Sequence, residues 1–307
     1  MDRLIRWSLP SKHLAVTTIG GLVSTTILLA GATGQVGSIV ARNLLSTDHR
    51  VRALVRNPDA AAAKLGAGIE YVRADLDDPR TLPAAFEGVD VAYLATAPAP
   101  EMVGQEGNFI DAAVEAGLPR LVELGVLGTD VSVPIFKFHQ EIEAKIASSG
   151  IPATVLRPGG FYSSLLFAAE AIRAGVLPSA AGDGRHAWTD PADAADVASA
   201  VLLDDKYAGH VLQITGPQAL NYDDVVAALA QALGKPVTHL RTDDETLRAQ
   251  LTSAGLPDWM ADSFLGQHRL MREDRLSEVT SVVADVLGRP PRALGEWLAA
   301  NKGAFGA

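Results

Sequence analysis

Short, mostly apolar runs alternate with longer amphipathic segments along the first two thirds of the chain. Continuous apolar runs predict strands that are buried on both faces, and apolar positions recurring every three or four residues predict helices. The predicted strands are Ile27–Ala30, Arg50–Val55, Ile69–Ala74, Val89–Leu94, Arg120–Leu124, Ala153–Leu156 and His210–Thr215.

Strands that alternate with helices predict an α/β fold, a doubly wound parallel sheet (Rossmann) with helices on both faces. Pro134–Ser149 is a predicted helix, and after Asn221 helices dominate. The later helices are predicted at Val225–Leu233, Thr246–Ala254, Asp258–Met271 and Arg292–Asn301. We therefore expect a loosely ordered extension at 1–25, a dinucleotide-binding domain at 26–215 and a smaller, mostly helical substrate lobe at 216–307 that shares its core.

The first predicted strand runs directly into a glycine-rich turn, and residues 26–37 read TILLAGATGQVG. Three glycines spaced G-x-x-G-x-x-G between a strand and a helix are typical of a pyrophosphate site, and the alternative is a structural turn without a ligand. We expect Gly31 to reverse the chain, Gly34 to let backbone approach the pyrophosphate, and Gly37 to let the helix pack on the strand. The helix start adds N–H groups and a positive dipole end. The candidate cofactor residues here are Gly31, Thr33, Gly34, Gln35, Val36 and Gly37.

The ends of later strands supply the other candidate cofactor residues. Arg56 follows the second strand, where a cation suits the 2′-phosphate of NADPH, so NADH is the less favoured cofactor; the alternative is a solvated arginine. Asp75 follows the third strand and either accepts a hydrogen bond from adenine or caps a helix that begins near Pro79. Small residues after the fourth and sixth strands allow a flat ring to approach. The remaining candidates are Leu76, Ala95, Thr96, Ala97, Pro158, Gly159, Gly160 and Phe161.

Composition excludes several classes of function. Hydrophobic residues make up 48% of the 307 residues, which is enough to form a full core, and charged residues make up 20%. A net charge of −10 without a dense Lys/Arg run argues against nucleic-acid binding. The chain has no cysteine, which excludes disulfides and thiolate chemistry and fits a reducing cytoplasm. We expect no metal site, because no His/Asp/Glu group has ligand spacing, and no membrane span.

The chain resembles the NmrA-like branch of the atypical short-chain dehydrogenases/reductases over residues 26 to about 305. The matching segments are GATGQVG (31–37), VRALVRNP (51–58), ADL (74–76), HQEIEAKIASSGIPATVLRPGGFY (139–162), DAADVA (193–198) and ITGP (214–217). The segment at 139–162 is similar to NAD(P)H:quinone oxidoreductases of that branch. The resemblance implies an NAD(P)H-dependent oxidoreductase that transfers a hydride to a quinone or similar conjugated small molecule.

The usual serine, tyrosine and lysine of the wider superfamily are replaced by Gly125, Ile135 and His139. Reduction of an ordinary ketone creates a strongly basic alkoxide and needs a placed acid. The anion of a hydroquinone is about as basic as tyrosinate, with a pKa near 10, so a quinone needs far less help. His139 and Tyr162 are the candidate catalytic residues. The alternatives are a His139 that contacts the cofactor ribose or nothing, and a Tyr162 that only packs.

Two other functions remain open at this point. The NmrA-like branch also contains dinucleotide-binding redox sensors without turnover, whose partner is a protein, and an isomerase or lyase that retains NADP is a third interpretation. Four side chains either line an acceptor pocket or belong to the core: Trp188, Trp259, Phe264 and His268. His186 has no predicted role.

Overall fold

The computed structural model of the protein describes residues 24–306, so the predicted extension at 1–25 lies almost wholly outside the described residues. Within that range, the strands are β1 (Thr26–Ala30), β2 (Arg50–Val55), β3 (Ile69–Arg73), β4 (Val91–Leu94), β5 (Leu121–Leu124), β6 (Ala153–Pro158), β7 (Val176–Ser179), β8 (Val211–Ile214) and β9 (Thr238–Arg241). Every predicted strand is present, with bounds that shift by two residues or fewer.

The helices of the described chain are α1 (Gln35–Leu44), α2 (Pro58–Leu65), α3 (Met102–Glu115), α4 (Pro134–Ser149), α5 (Ala169–Arg173), α6 (Pro191–Leu203), α7 (Tyr222–Leu233), α8 (Asp244–Ser253), α9 (Asp258–Arg272), α10 (Val282–Leu287) and α11 (Leu294–Asn301). The helix predicted near Pro79 is instead two short 3-10 helices, Pro79–Thr81 and Pro83–Phe86. Proline recurs at the start of each, and Asp78, not Asp75, caps the first.

Seven strands form one parallel sheet in the order β3-β2-β1-β4-β5-β6-β8, which confirms the predicted fold class. In register, Ile27 of β1 lies between Val51 of β2 and Val91 of β4. The strand order reverses between β1 and β4, and ligands of doubly wound sheets bind outside the carboxyl ends of the strands at such a switch point. This topology directs attention to the segments that follow β1 and β4.

The chain divides into two compact units. Within the described residues, the first comprises 24–125, 142–156 and 198–212, and contains most of the seven-stranded sheet. All five residues of β1 and all four of β4 are buried, as expected for strands covered on both faces. The predicted domain boundary between residues 215 and 216 stays a prediction.

The second unit comprises residues 126–141, 157–197 and those from 213 onward. Its core includes several large aromatic side chains: Phe136, Tyr162, Trp188, Tyr222, Trp297 and Phe305. It also holds a two-stranded parallel sheet of β7 and β9, which the sequence pattern did not predict. Three of the four β9 residues are exposed, so this strand lacks the apolar run that reveals a buried one.

Candidate functional site

The glycine turn after β1 has the shape that its sequence predicts. Gly31 has a φ of +89°, a left-handed conformation that favours glycine. A Cβ at Gly31 would collide with the carbonyl oxygen of Ala95, and a Cβ at Gly37 would collide with the carbonyl oxygen of Gly31. Beside Gly34 a Cβ would meet only the Gly31 oxygen, at 3.2 Å. The chain itself therefore requires Gly31 and Gly37, whereas Gly34 leaves an open approach to the backbone.

Helix α1 begins directly at this opening. Its N-cap is Gly34, and no side chain caps the first turn. The backbone N–H groups of Gln35, Val36 and Gly37 lie in that first turn, where N–H groups have no partner within the helix. An uncapped helix start beside an exposed glycine fits a phosphate group, because the dipole end and the N–H groups both favour an anion.

Two cationic side chains, Arg56 and Lys64, lie in the part of the chain that follows β2. Arg56, directly after β2, is exposed, and no residue in the range 24–306 forms a hydrogen bond or ion pair with its side chain. Lys64 of α2 is also exposed, and its Nζ donates to the Thr33 carbonyl oxygen at 2.8 Å. By contrast, Arg52 is engaged with the chain, donating to the carbonyl oxygens of Ala85 and Glu87.

The sequence did not identify Lys64 as a candidate, because the contact of its ammonium group with the glycine turn depends on how α2 packs. The sequence shows only a lysine near the end of an alanine-rich segment, and a lysine in the last turn of a helix also has a structural reason in the helix dipole. Its ammonium group and the Arg56 guanidinium give the region around the glycine turn and the end of β2 two solvent-accessible positive charges.

Asp75 and Leu76 lie in the turn after β3. The Asp75 N–H donates to Thr81 Oγ1 at 2.9 Å, and one Asp75 carboxylate oxygen accepts from the Asp77 N–H at 3.1 Å. The Leu76 carbonyl oxygen accepts from Asn108 Nδ2 at 2.7 Å. Asp75 thus stabilises its own turn and is not the N-cap of a following helix. Its contact with adenine stays a prediction.

The segment Ala95–Ala97 follows β4, on the other side of the switch point from the β2 and β3 turns. The Ala95 N–H donates to the carbonyl oxygen of Ala30 at 3.2 Å, which joins this segment to the end of β1. Thr96 donates from both its N–H and its hydroxyl to Glu106 of α3. The structure therefore brings the residues predicted after β1 and β4 together at one edge of the sheet.

Four candidate residues, 158–161, lie at the end of β6 in the second unit. A Cβ at Gly159 would collide with the Ala187 carbonyl oxygen, and a Cβ at Gly160 would lie 2.5 Å from His186 Cε1. The Gly160 N–H donates to His186 Nε2 at 3.3 Å. The space beside both glycines is thus filled by the chain, which gives the glycines a packing reason. Contact of Pro158, Gly159, Gly160 and Phe161 with a cofactor stays a prediction.

Tyr162 is buried in the core of the second unit. Its side chain is 1% exposed and packs near Trp297, with ring centroids 6.3 Å apart. Its hydroxyl donates weakly to the Arg292 carbonyl oxygen at 3.4 Å. Burial raises the pKa of Tyr162, and the carboxylates of Asp190 and Asp193 raise it further. A buried phenol of raised pKa is a poor proton donor, so this environment favours the packing alternative for Tyr162.

His139 lies in α4, four residues after Ile135, so both side chains project from the same face of the helix. The His139 side chain is buried. The first turn of α4 is held by α9, because the Ile135 N–H donates to Ser263 Oγ at 3.1 Å. A proton-transfer role for His139 stays a prediction.

The four aromatic or histidine candidates for an acceptor pocket separate into two pairs. Trp188 and His268 are buried near Tyr222, whose hydroxyl lies 2.8 Å from His268 Nε2. Trp259 and Phe264 of α9 are only partly buried, and each pairs with another aromatic ring. Phe138 lies 5.8 Å from Trp259, and Phe167, which is 61% exposed, lies 5.8 Å from Phe264. The second pair is available to a flat ligand, and the first pair belongs to the core.

Within residues 24–306, no group of histidine and acidic residues has an arrangement that could hold a metal ion. In the same range, no helix is long and apolar enough to cross a bilayer.

Comparison with known proteins identifies relatives over nearly the full length. The chain is 35% identical over 284 residues to an NAD(P)H azoreductase of Xenophilus azovorans, covering 92% of this chain and 99% of that one. It is 32% identical over 275 residues to quinone oxidoreductase 2 of Escherichia coli, covering 88% and 96%.

A solved structure also matches nearly the full length of the chain. The NADPH-dependent quinone oxidoreductase of Escherichia coli, crystallised with NADPH, superimposes with a TM-score of 0.84 at 31% identity, covering 90% of this chain and 99% of that one. The model of the NmrA-like family matches residues 23–298. The chain belongs to the NmrA-like family.

Proposed function

We propose that the protein is an NADPH-dependent reductase that transfers a hydride to a quinone or a similar flat conjugated acceptor. Its relatives include an NAD(P)H azoreductase, a second reductase and quinone oxidoreductase 2, which supports an NAD(P)H-dependent reductase. The observation that carries the cofactor assignment is the open approach at Gly34 beside an uncapped helix start, with two exposed cations nearby.

The proposed cofactor site uses three features of the first unit. The start of α1 would hold the pyrophosphate through backbone N–H groups. Arg56 and Lys64 would hold the 2′-phosphate, which NADH lacks. The turn after β3, with Asp75 and Leu76, would receive the adenine. When bound, the nicotinamide would supply the hydride, and the residues of this cofactor site would bind and orient it.

The acceptor assignment rests partly on the absence of the serine and tyrosine that are usual in the wider superfamily. A Cβ at position 125 would lie 3.2 Å from a carboxylate oxygen of Glu123, so Gly125 packs closely against that side chain and supplies no hydroxyl. Without the usual serine and tyrosine, a substrate whose reduced form is a weak base is favoured. A quinone takes up one hydride and one proton to become a hydroquinone, and its first product is a phenolate that water can protonate.

We assign His139 as the candidate donor of that proton, and Phe138, Trp259, Phe167 and Phe264 as the side chains that contact the ring of the acceptor. Partly exposed aromatic pairs favour stacking with flat conjugated molecules. Azo compounds are a second acceptor class of the same shape, favoured by the likeness to the azoreductase.

The experiment is an assay of NADPH oxidation by the purified protein with no acceptor, with a benzoquinone, with an azo dye and with a simple aliphatic ketone. We expect oxidation with the benzoquinone and none with the ketone. Tight NADPH binding without turnover on any acceptor would instead support the redox-sensor alternative. The variant His139→Ala is expected to lower kcat for the quinone while NADPH binding is retained, and Gln140→Ala, on the neighbouring position of α4, is the matched control.

A further inference from the structure

Helix α3 contributes polar side chains to both segments that flank the predicted cofactor site in the first unit. Glu106 is fully buried, and its Oε1 accepts from the Thr96 N–H at 3.1 Å and from the Thr96 hydroxyl at 2.7 Å. Two hydrogen bonds from one residue to one carboxylate oxygen fix both the backbone and the side chain of Thr96.

Thr96 adjoins the residue that contacts the glycine turn. The Ala95 carbonyl oxygen occupies the space where a side chain at Gly31 would be, and the Ala95 N–H donates to the Ala30 oxygen at 3.2 Å. A shift of Thr96 would therefore move Ala95 and, with it, the surface against which Gly31 turns. Only Thr96 separates Glu106 from Ala95, whose carbonyl oxygen lies against Gly31 of the glycine turn.

The same helix also holds the turn after β3. Asn108 Nδ2 donates to the Leu76 carbonyl oxygen at 2.7 Å, and Gln105 Nε2 donates to both carboxylate oxygens of Asp77 at 3.1 Å. Residues 105, 106 and 108 of one helix thus contribute to holding the segments after β3 and after β4 in place. Neither segment has a regular hydrogen-bond ladder of its own.

A fully buried carboxylate is costly unless hydrogen bonds compensate it, and an apolar residue would pack on the sheet at lower cost. Hydrogen bonds that an ionised group accepts are shorter and roughly twice as strong as neutral ones. A strong restraint on an irregular segment reduces the entropy that the segment loses when it binds a ligand, which raises affinity. The chemistry of Glu106 suits preorganisation of a binding segment.

We propose that Glu106 is a positioning residue for the dinucleotide, acting through Thr96, with Asn108 acting in the same way through Leu76. This inference rests on the proposed cofactor site and adds residues that do not touch the cofactor themselves. It predicts that the affinity for NADPH depends on the hydrogen bonds between Thr96 and Glu106, in which the cofactor takes no part.

The test measures NADPH binding by fluorescence titration, without an acceptor, for the wild type and the variants Glu106→Gln, Thr96→Val and the double variant. Glu106→Gln removes the charge but keeps an acceptor of nearly the same shape, and Thr96→Val removes the hydroxyl donor. Glu115→Gln, which removes an exposed glutamate from the same helix, is the matched control. Melting temperatures are recorded for each protein.

We expect the Kd for NADPH to rise about tenfold in Glu106→Gln, which corresponds to ~1.4 kcal/mol, and the Kd of Glu115→Gln to equal that of the wild type. The KM for NADPH is expected to rise by a larger factor than kcat falls. Glu106→Gln weakens and Thr96→Val removes the hydrogen bond between the same two side chains, so the effect of the double variant should be smaller than the sum of the two single effects.

A Glu106→Gln variant that melts earlier but binds NADPH as tightly as the wild type would overturn the inference and leave the proposed function intact. Additive effects in the double variant would also overturn it, because the hydrogen bond would then not be the cause. Should Glu106→Gln not fold, Thr96→Val alone decides, since an unchanged Kd there contradicts the inference. A wild type that does not bind NADPH refutes the proposed function itself.

Discussion

Replacing Arg56 and Lys64 by alanine should convert a protein that prefers NADPH into one that does not discriminate against NADH. Both side chains are exposed, and Arg56 follows β2 while Lys64 reaches the glycine turn. NADPH and NADH differ only in the 2′-phosphate, so a residue that binds this group affects one cofactor and not the other.

The magnitude follows from the exposure of the two groups. Hydrogen bonds to charged partners contribute about 1.5–3 kcal/mol, and exposed cations belong at the low end of that range because water competes for them. We therefore expect each single substitution to raise the Kd for NADPH about tenfold. The double substitution should raise it by up to about a hundredfold if the two contributions add. The Kd for NADH should change less than twofold.

The assay is isothermal titration of each variant with NADPH and with NADH at two salt concentrations. Arg50→Ala is the matched control, since Arg50 is an exposed arginine at the opposite end of the same strand. The preference for NADPH should shrink at high salt, where the Debye length falls from about 10 Å at 0.1 M to about 3 Å at 1 M. Equal losses of NADPH and NADH affinity in Arg56→Ala would refute the reasoning, because the arginine would then act on a part common to both cofactors.

Three further predictions concern stability and the acceptor. Gly37→Ala would press a Cβ onto the Gly31 carbonyl oxygen, so we expect a lower melting temperature together with weaker NADPH binding; unchanged values would contradict the packing argument. Burial lowers the pKa of His186 to about 4 and that of His268 to about 3, so the unfolded chain binds protons that the folded chain does not. Stability to urea should therefore be highest above pH 6.5 and should fall as the pH drops from 6.5, having lost about 3 kcal/mol for each histidine by about pH 4; a flat profile would show that these histidines are not buried as neutral groups. Phe167→Ala should raise the KM for a benzoquinone several-fold without altering the Kd for NADPH, and an unchanged KM would remove this aromatic pair from the acceptor site.

Local patterns were sufficient to predict most of the sheet and the glycine turn. The bounds predicted for β2 and α4 match the structure, because each is delimited by strong signals such as a proline or a change of hydrophobic period. The family and the fold class are confirmed. The two-stranded sheet of β7 and β9 was missed, since β9 is mostly exposed and its pairing joins residues more than sixty positions apart.

The candidate site was predictable only where function depends on the backbone near a strand end. Gly31 and Gly37 could be assigned structural roles from their spacing, and the collisions that a Cβ would make at each agree with those roles, whereas the approach of Gly34 to a pyrophosphate stays a prediction. Glu106 and Lys64 could not be found this way, because their contacts with Thr96 and Thr33 depend on how the chain folds. Gly159 and Gly160 pack tightly against residues 186 and 187, which gives them a structural reason besides the predicted cofactor contact, and that contact stays a prediction.

The exposed placement of Arg56 and Lys64 has a consequence for how this protein could change over evolutionary time. Neither side chain supports the buried core, whereas the glycines of the turn are fixed by collisions with their own backbone. Exposed side chains without core contacts tolerate replacement with little cost in stability. If Arg56 and Lys64 bind the 2′-phosphate as proposed, cofactor preference is separable from folding in this chain. Descendants of this protein could exchange NADPH for NADH through two surface substitutions while the dinucleotide-binding turn stays unaltered.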